Sequence, residues 1–187
     1  MESIQIVSEG DDFITLHEAK DHLRVDFDDD DIVIHSLITA ARKWCEHRTS
    51  RFFTPTNVML LRNGFDDMMP LRHKPVKEIV SVEYDDEATG NTLSTDAYEL
   101  DHYNNCVIRA YGQTWPSTRH HWNSVRITYR VGYADGSPEI ITVPEDVRLA
   151  ALMVIGDLYE HREAQQDMQL YENRTADMLL HHYRVYA

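Results

Sequence analysis

Apolar positions recur with helical spacing near both ends of this chain and with strand spacing in between. From Leu16 to about Leu23, Leu16, Ala19 and Leu23 share one stripe. Thr15-x-x-Glu18 stands ahead of them as a capping box, in which side chains satisfy the orphan N–H groups of a first turn. Asp26 to Asp31 breaks the pattern, and one of Asp28 to Asp30 is expected to cap a second helix whose N-terminus favours negative charge. That helix should reach about Arg48, because Ile34, Leu37, Ile38, Ala41, Trp44 and Cys45 form one continuous apolar face. His35, Thr39, Arg42, Lys43 and Glu46 fall on the other side.

From Val58 the period changes to two. Strands are expected at Val58 to Leu61, at Val76 to Tyr84 behind Pro75, and at Val125 to Tyr133. In the last of these, Val125, Ile127, Tyr129 and Val131 alternate with Arg126, Thr128 and Arg130. Tyr98 to Asp101 and Val107 to Ala110 read as a hairpin, joined through His102 to Asn105. Gly112 to Asn123 has no regular period. Residues 1–12 are polar and acidic apart from Ile4, Ile6 and Val7, which suits an arm or an edge strand.

Val143-Pro144-Glu145-Asp146 is a strong helix start, with proline at the first helical position and carboxylates in the first turn. This helix is expected to run to about Glu163 and is apolar nearly all round. Val147, Ala150, Ala151, Val154, Ile155 and Leu158 make one face; Leu149, Leu152, Met153 and Gly156 make the opposite one. A helix of that kind needs cover on both sides; the second face is covered either by the sheet of the same chain or by an adjacent subunit, which makes it the candidate subunit interface. Thr175 to Tyr183 reads as a last short helix, and everything from Gln165 onward is patterned so weakly that it is expected to order on docking. The fold class is α+β: mainly an α-helical bundle of about four helices with a small inserted antiparallel β-sheet. Residues 1–187 are expected to form a single domain, comprising a helical part (13–51), a β insertion (58–133), a long buried helix (143–163) and a C-terminal arm (165–187).

Charge and chemistry narrow the function. Acidic residues outnumber basic ones 32 to 18, a net charge of −14. Gripping a phosphate backbone needs the opposite balance, so tight DNA binding is not expected. The opening residues MESIQIVSEGDD lack the basic and apolar regions of a signal peptide, and the apolar run Leu149 to Ile155 is too short to cross a bilayer. Synthesis in a reducing compartment and no membrane association are therefore expected. Cys45 and Cys106 sit in apolar surroundings and give no disulfide or metal spacing.

His17-Glu18-x-x-x-His22 is one residue too long for a zinc-protease signature, since i and i+5 lie about 140° apart on a helix. Asp26-x-Asp28-x-Asp30 starts like an EF-hand loop, but Asp31 and Leu37 stand where glycine and glutamate are needed. Asp157/His161 and Asp177/His181 have ligand-compatible i, i+4 spacing; with Glu160 they define an alternative reading, a metal-dependent nucleotide hydrolase of all-α type. No phosphate-binding glycine loop and no nucleophile elbow occurs. The primary reading is a non-enzyme without metal or cofactor.

Thr15-Leu16, Glu18-Ala19-Lys20, His22-Leu23-Arg24-Val25-Asp26, Leu37-Ile38 and Ala40-Ala41-Arg42 closely resemble the start of bacteriophage head–tail connector (adaptor, head-completion) proteins. Pro70-Leu71-x-x-x-Pro75-Val76, Ser81-Val82-x-Tyr84, Trp115-Pro116 and Ile127-Thr128-Tyr129-x-x-Gly132-Tyr133 resemble later parts of the family version with a β insertion. Leu158-Tyr159-Glu160-His161-Arg162-Glu163 is similar to the end of its penultimate helix. Thr49-Ser50-Arg51 departs from the common Thr-Gly-Arg. The resemblance implies a virion neck protein: a ring of identical subunits, expected to be dodecameric, between the portal protein and a tail, stopper or neck protein. It would complete the head and extend the channel, through which genomic DNA passes without tight binding. In the family the C-terminal segment tends to hold the portal, which puts Tyr171, Leu179, Leu180 and Tyr183 forward as docking residues. A soluble regulatory binding module that forms no ring is the remaining alternative.

Overall fold

A computed structural model describes residues 3–87, 90–119, 121–133, 142–161 and 173–185. The chain divides into two compact units, Met1–Gly10 with Pro55–Gly132 and Asp11–Thr54 with Tyr133–Ala187. Four helices and antiparallel sheets make the class α+β.

The first unit is built from eight strands: β1 (Ser3–Glu9), β2 (Thr56–Arg62), β3 (Met68–Pro70), β4 (Val76–Asp85), β5 (Gly90–Thr92), β6 (Tyr98–Asp101), β7 (Cys106–Arg109) and β8 (Val125–Val131). One sheet has the order β1-β2-β8-β4-β5 and a smaller one the order β3-β7-β6, with every pairing antiparallel. β8 is central because its alternation is the cleanest. Val125, Ile127, Tyr129 and Val131 are buried while Arg126, Thr128 and Arg130 are half-exposed. Register places Ile127 between Leu60 and Val82, all three fully buried, each side chain contributing about 1.5–3 kcal/mol. On the other face Arg126 grips Asp85 through both terminal nitrogens at 2.7 and 2.9 Å, and Arg130 meets Glu78 at 2.9 Å. The N-terminal residues form an edge strand, β1, bulged between Ile6 and Ser8. Beyond it the chain turns at Gly10, where any Cβ would lie 2.8 Å from the carbonyl oxygen of Pro55.

The second unit holds α1 (Leu16–Leu23), α2 (Asp31–Thr49), α3 (Glu145–Glu160) and α4 (Arg174–Leu180), followed by a 3-10 turn at His181–Tyr183. Its core gathers Ile34, Ile38, Ala41 and Cys45 of α2 with Val147, Ala150, Ala151, Val154 and Ile155 of α3. Phe53 joins this core, stacked on Tyr133 and edge-on to Phe13.

Three local details differ from expectation. Thr15 caps α1 through the N–H of Glu18, but Glu18 does not return the bond; its carboxylate takes both contacts from Arg148 of α3 at 2.6 and 2.7 Å. Asp30 occupies the N-cap of α2 without a side-chain cap, because its carboxylate accepts the Tyr159 hydroxyl at 2.6 Å. Pro144 sits one residue before the first helical position of α3.

A larger correction concerns Arg42 and Glu46, which are 4% and 9% exposed rather than on a solvated face. Arg42 donates through Nε to Asp12 at 2.5 Å and through Nη1 to Glu46 at 3.3 Å and Thr54 at 3.4 Å. Glu46 accepts the N–H of Phe53 at 2.9 Å, and Thr39 donates to Asp12 at 2.8 Å. A buried ionic group is tolerable only when its partners are this complete.

Removing Arg42 would strand two carboxylates in low dielectric. Arg42→Ala should therefore cost about 3 kcal/mol in urea unfolding with little change in slope, whereas exposed His35→Ala should stay within about 0.5 kcal/mol.

Candidate assembly surface

The outer side of α3 is the strongest sequence-derived candidate for a shared surface. Leu149 is 47% exposed, Met153 and Gly156 are half-buried, and Leu152 is half-buried against the helical core. The outer stripe is thus open at Leu149 and half-covered at Met153, while Leu152 packs on the helical core. Gly156 has room: an added Cβ would meet only Nε2 of His22, at 3.8 Å. Glu145 and Asp146 at one end, with Asp157 and Glu160 at the other, leave exposed carboxylates around this stripe.

The C-terminal candidates are placed differently. Tyr171 lies outside the described residues. Leu180 is fully buried in the helical core, as is Ala176, and Leu179 and Tyr183 pack against it half-buried. Residues 173–185 therefore carry part of the core, contrary to the expectation that this segment waits for a partner before ordering. Asn173 caps α4 by accepting the N–H of Ala176 at 3.0 Å. Asp177 lies between Arg48 of α2 and Arg184, the latter at 2.5 Å. Arg51 donates to the carbonyl of Tyr183 at 2.5 Å, and the N–H of Val185 to the carbonyl of Thr49 at 2.9 Å. Bonding to Arg48, with Arg184 adding to it, holds the Asp177 carboxyl below the usual carboxylate range.

These contacts also account for the residues weighed as metal ligands. Asp177 is already saturated by guanidinium groups, and Asp157 accepts from the side chain of Asn173 at 2.6 Å. His161 turns its Nδ1 to the carbonyl of Asp157 at 3.0 Å, and His181 is exposed. Among the described residues no three His, Cys, Asp or Glu side chains come together as a metal site would need. In the acidic bend, Asp28 and Asp31 both pair with Lys20 at 2.7 Å. Burial pushes the Cys45 thiol up to about 12, away from nucleophilic use. Among the described residues no helix is long and apolar enough to cross a membrane.

The structure also exposes apolar side chains that the sequence reading passed over. Phe27 is 51% and Ile32 84% exposed, with Val33 beside them at the start of α2. The signal was present: Ile32 lies about 160° around the helix from the Ile34 stripe. Met178, on the outer side of α4, is 74% exposed.

Residues 13–93 match the family described as phage gp6-like head-tail connector protein. Over 38 residues the chain is 45% identical to head completion protein gp6 of Enterobacteria phage HK97, an alignment covering 20% of this chain and 35% of that protein. The chain thus spans about a third of the length of that curated relative. Among solved structures, a chain from the virion of a native gene transfer agent particle superposes with a TM-score of 0.77 at 20% identity, covering 98% of this chain and 96% of that one. A chain from the neck of an empty gene transfer agent particle, computed with C6 symmetry, gives 0.75 at 19% identity over 99% and 96%. These likenesses establish the fold.

The position of Asp177 sets a pH dependence. A carboxyl whose folded pKa is depressed adds stability above its unfolded pKa and loses it as pH falls through the folded value. Asp177→Asn should cost about 1 kcal/mol at neutral pH, a figure kept small by its partial exposure. The gap from the unaltered chain, followed by thermal unfolding across pH, should close in the acid range where the carboxylate is protonated.

Proposed function

We propose that this chain belongs to the phage gp6-like head–tail connector family and is a structural virion protein forming a ring in the neck. The ring would stand between the portal and the tail or next neck protein, complete the head and continue the DNA channel. Supporting the reading above all is a match of the two opening helices to the connector family, joined to a fold shared along the whole chain with subunits of gene transfer agent particles. In this reading the four helices are the connector bundle and strands β2 to β8 are its insertion, within one functional domain. A ring of about twelve copies is proposed, which suits the C12 and C6 symmetries with which two similar necks were computed.

The reading is non-enzymatic. It draws support from the state of the groups that chemistry would need: Asp177 neutralised by two arginines and Cys45 buried as a thiol. The net charge of −14 suits a wall past which DNA slides, since like charge keeps a polyanion from sticking. The outer stripe of α3 is proposed as part of the surface neighbours share, with Leu149 and Met153 at its centre. Leu152 and Leu180 belong to the subunit's own packing, so contact is assigned to the exposed side chains around them.

Leu149→Asp combined with Met153→Asp tests this assignment, because both side chains reach the surface and the variant should keep near-normal circular dichroism. Rings seen by native mass spectrometry or electron microscopy for the unaltered chain should then be lost. Rings of normal size from the doubly charged variant would remove α3 from the interface.

A further inference from the structure

A ring built by rotation uses two different surfaces on each subunit, one meeting the other on the next copy. The helical unit carries such a pair at the two ends of α2. At its N-terminal end, Asp26, Asp28, Asp29, Asp30 and Asp31 outnumber Lys20, and the apolar side chains Phe27 and Ile32 stand exposed among them. At its C-terminal end, Arg48 and Arg184 both pair with Asp177, and Arg51 donates to the carbonyl of Tyr183. Beside them α4 presents Met178, with Arg174 and His182 one turn to either side along the exposed face. The ends are separated by a helix of 19 residues, about 28 Å.

The helix dipole explains only part of this. It favours Asp31 in the first turn of α2 and His47 and Arg48 in the last, but its reach ends within a turn. It gives no reason for Asp26 and Asp29 in the preceding bend, for Arg174 on a different helix, or for leaving Ile32, Phe27 and Met178 in water. A chain with a net charge of −14 that still sets Arg48, Arg51, Arg174 and Arg184 about one end of this helix has the composition of a polar contact there.

We infer that successive copies of this chain associate head to tail, the acidic apolar bend before α2 of one copy receiving the basic Met178 face of α4 from the next. Opposite rims and exposed apolar centres make the two patches complementary to each other and not to themselves. The occupant of each patch is therefore a second copy in the same orientation, and a two-fold dimer would bring like charges together. The outer stripe of α3, rimmed by carboxylates, does not supply the complement to the acidic bend. The inference rests on the ring reading and adds its polarity.

Charge reversal tests it on the full chain. Asp26→Lys with Asp29→Lys makes one variant; Arg174→Glu with Met178→Glu makes the other. Both sets of side chains are exposed, so each variant should keep the circular dichroism of the unaltered chain. Native mass spectrometry at low salt should show higher-order species for the unaltered chain, their loss in each variant alone, and their return on mixing the two. In the mixture every acidic patch again faces a basic one, so the restored species should contain both variants in equal number. Normal assembly by either variant alone would overturn the patch assignment and leave the ring reading standing. An unaltered chain that stays monomeric at low salt would overturn the pairing of the two patches and leave the ring reading to the assembled particle, and assembly lost in each variant and not restored in the mixture would assign the patches to a different protein.

Discussion

The guanidinium of Arg42 is the constraint on which the helical unit depends. It stands at the middle of α2, nearly without water, and holds Asp12 ahead of α1 and Thr54 beyond α2. Glu46, one turn on, is its second carboxylate partner and fixes the backbone of Phe53. Asp12 and Thr54 lie at the two ends of the stretch Asp11–Thr54, so one cation ties the ends of that stretch to the middle of α2. Phe53 is thereby placed where it stacks on Tyr133. Apolar packing alone would hold α2 against α3 but would not fix the ends of that stretch.

Much of the fold was legible because its signals are local. Helices α1, α2 and α3 announced themselves by 3.6-residue periodicity and acidic starts, and β8 by strict alternation. β3 and β5 were missed because three residues are too few to show a period. Arg42 and Glu46 were misplaced for a different reason. A polar residue beside an apolar stripe reads as solvated unless its partners are known, and Asp12 lies 30 residues away. The same holds for Glu18, whose partner Arg148 is 130 residues distant.

At the candidate surface the sequence showed more than could be interpreted from it. An all-round apolar α3 was legible, yet which of its outer residues would be covered by the same chain was not. Leu152 is taken up by the subunit core while Leu149 is not, a distinction set by tertiary packing. The last helix was legible as a helix, but burial of Leu180 and the Arg48–Asp177–Arg184 cluster required long-range partners. Ser50, where the family commonly has glycine, turns out to close α2 in the left-handed region with φ 56°. That explains the family preference and leaves this chain with a cost of about 1 kcal/mol there.

A ring subunit of the kind proposed must be stiff within itself and adhesive towards its neighbours, and the division of side chains here suits that demand. Charges that fix the subunit are buried and paired, while apolar side chains that do nothing for it are exposed. A place in the neck is tested most directly by a reconstruction of the neck in purified particles that carry this chain. A closed ring of copies of this fold, coaxial with the DNA channel and lying between the portal and the next tail-side protein, is the predicted result. Particles complete without the chain, or copies found away from that axis, would contradict it.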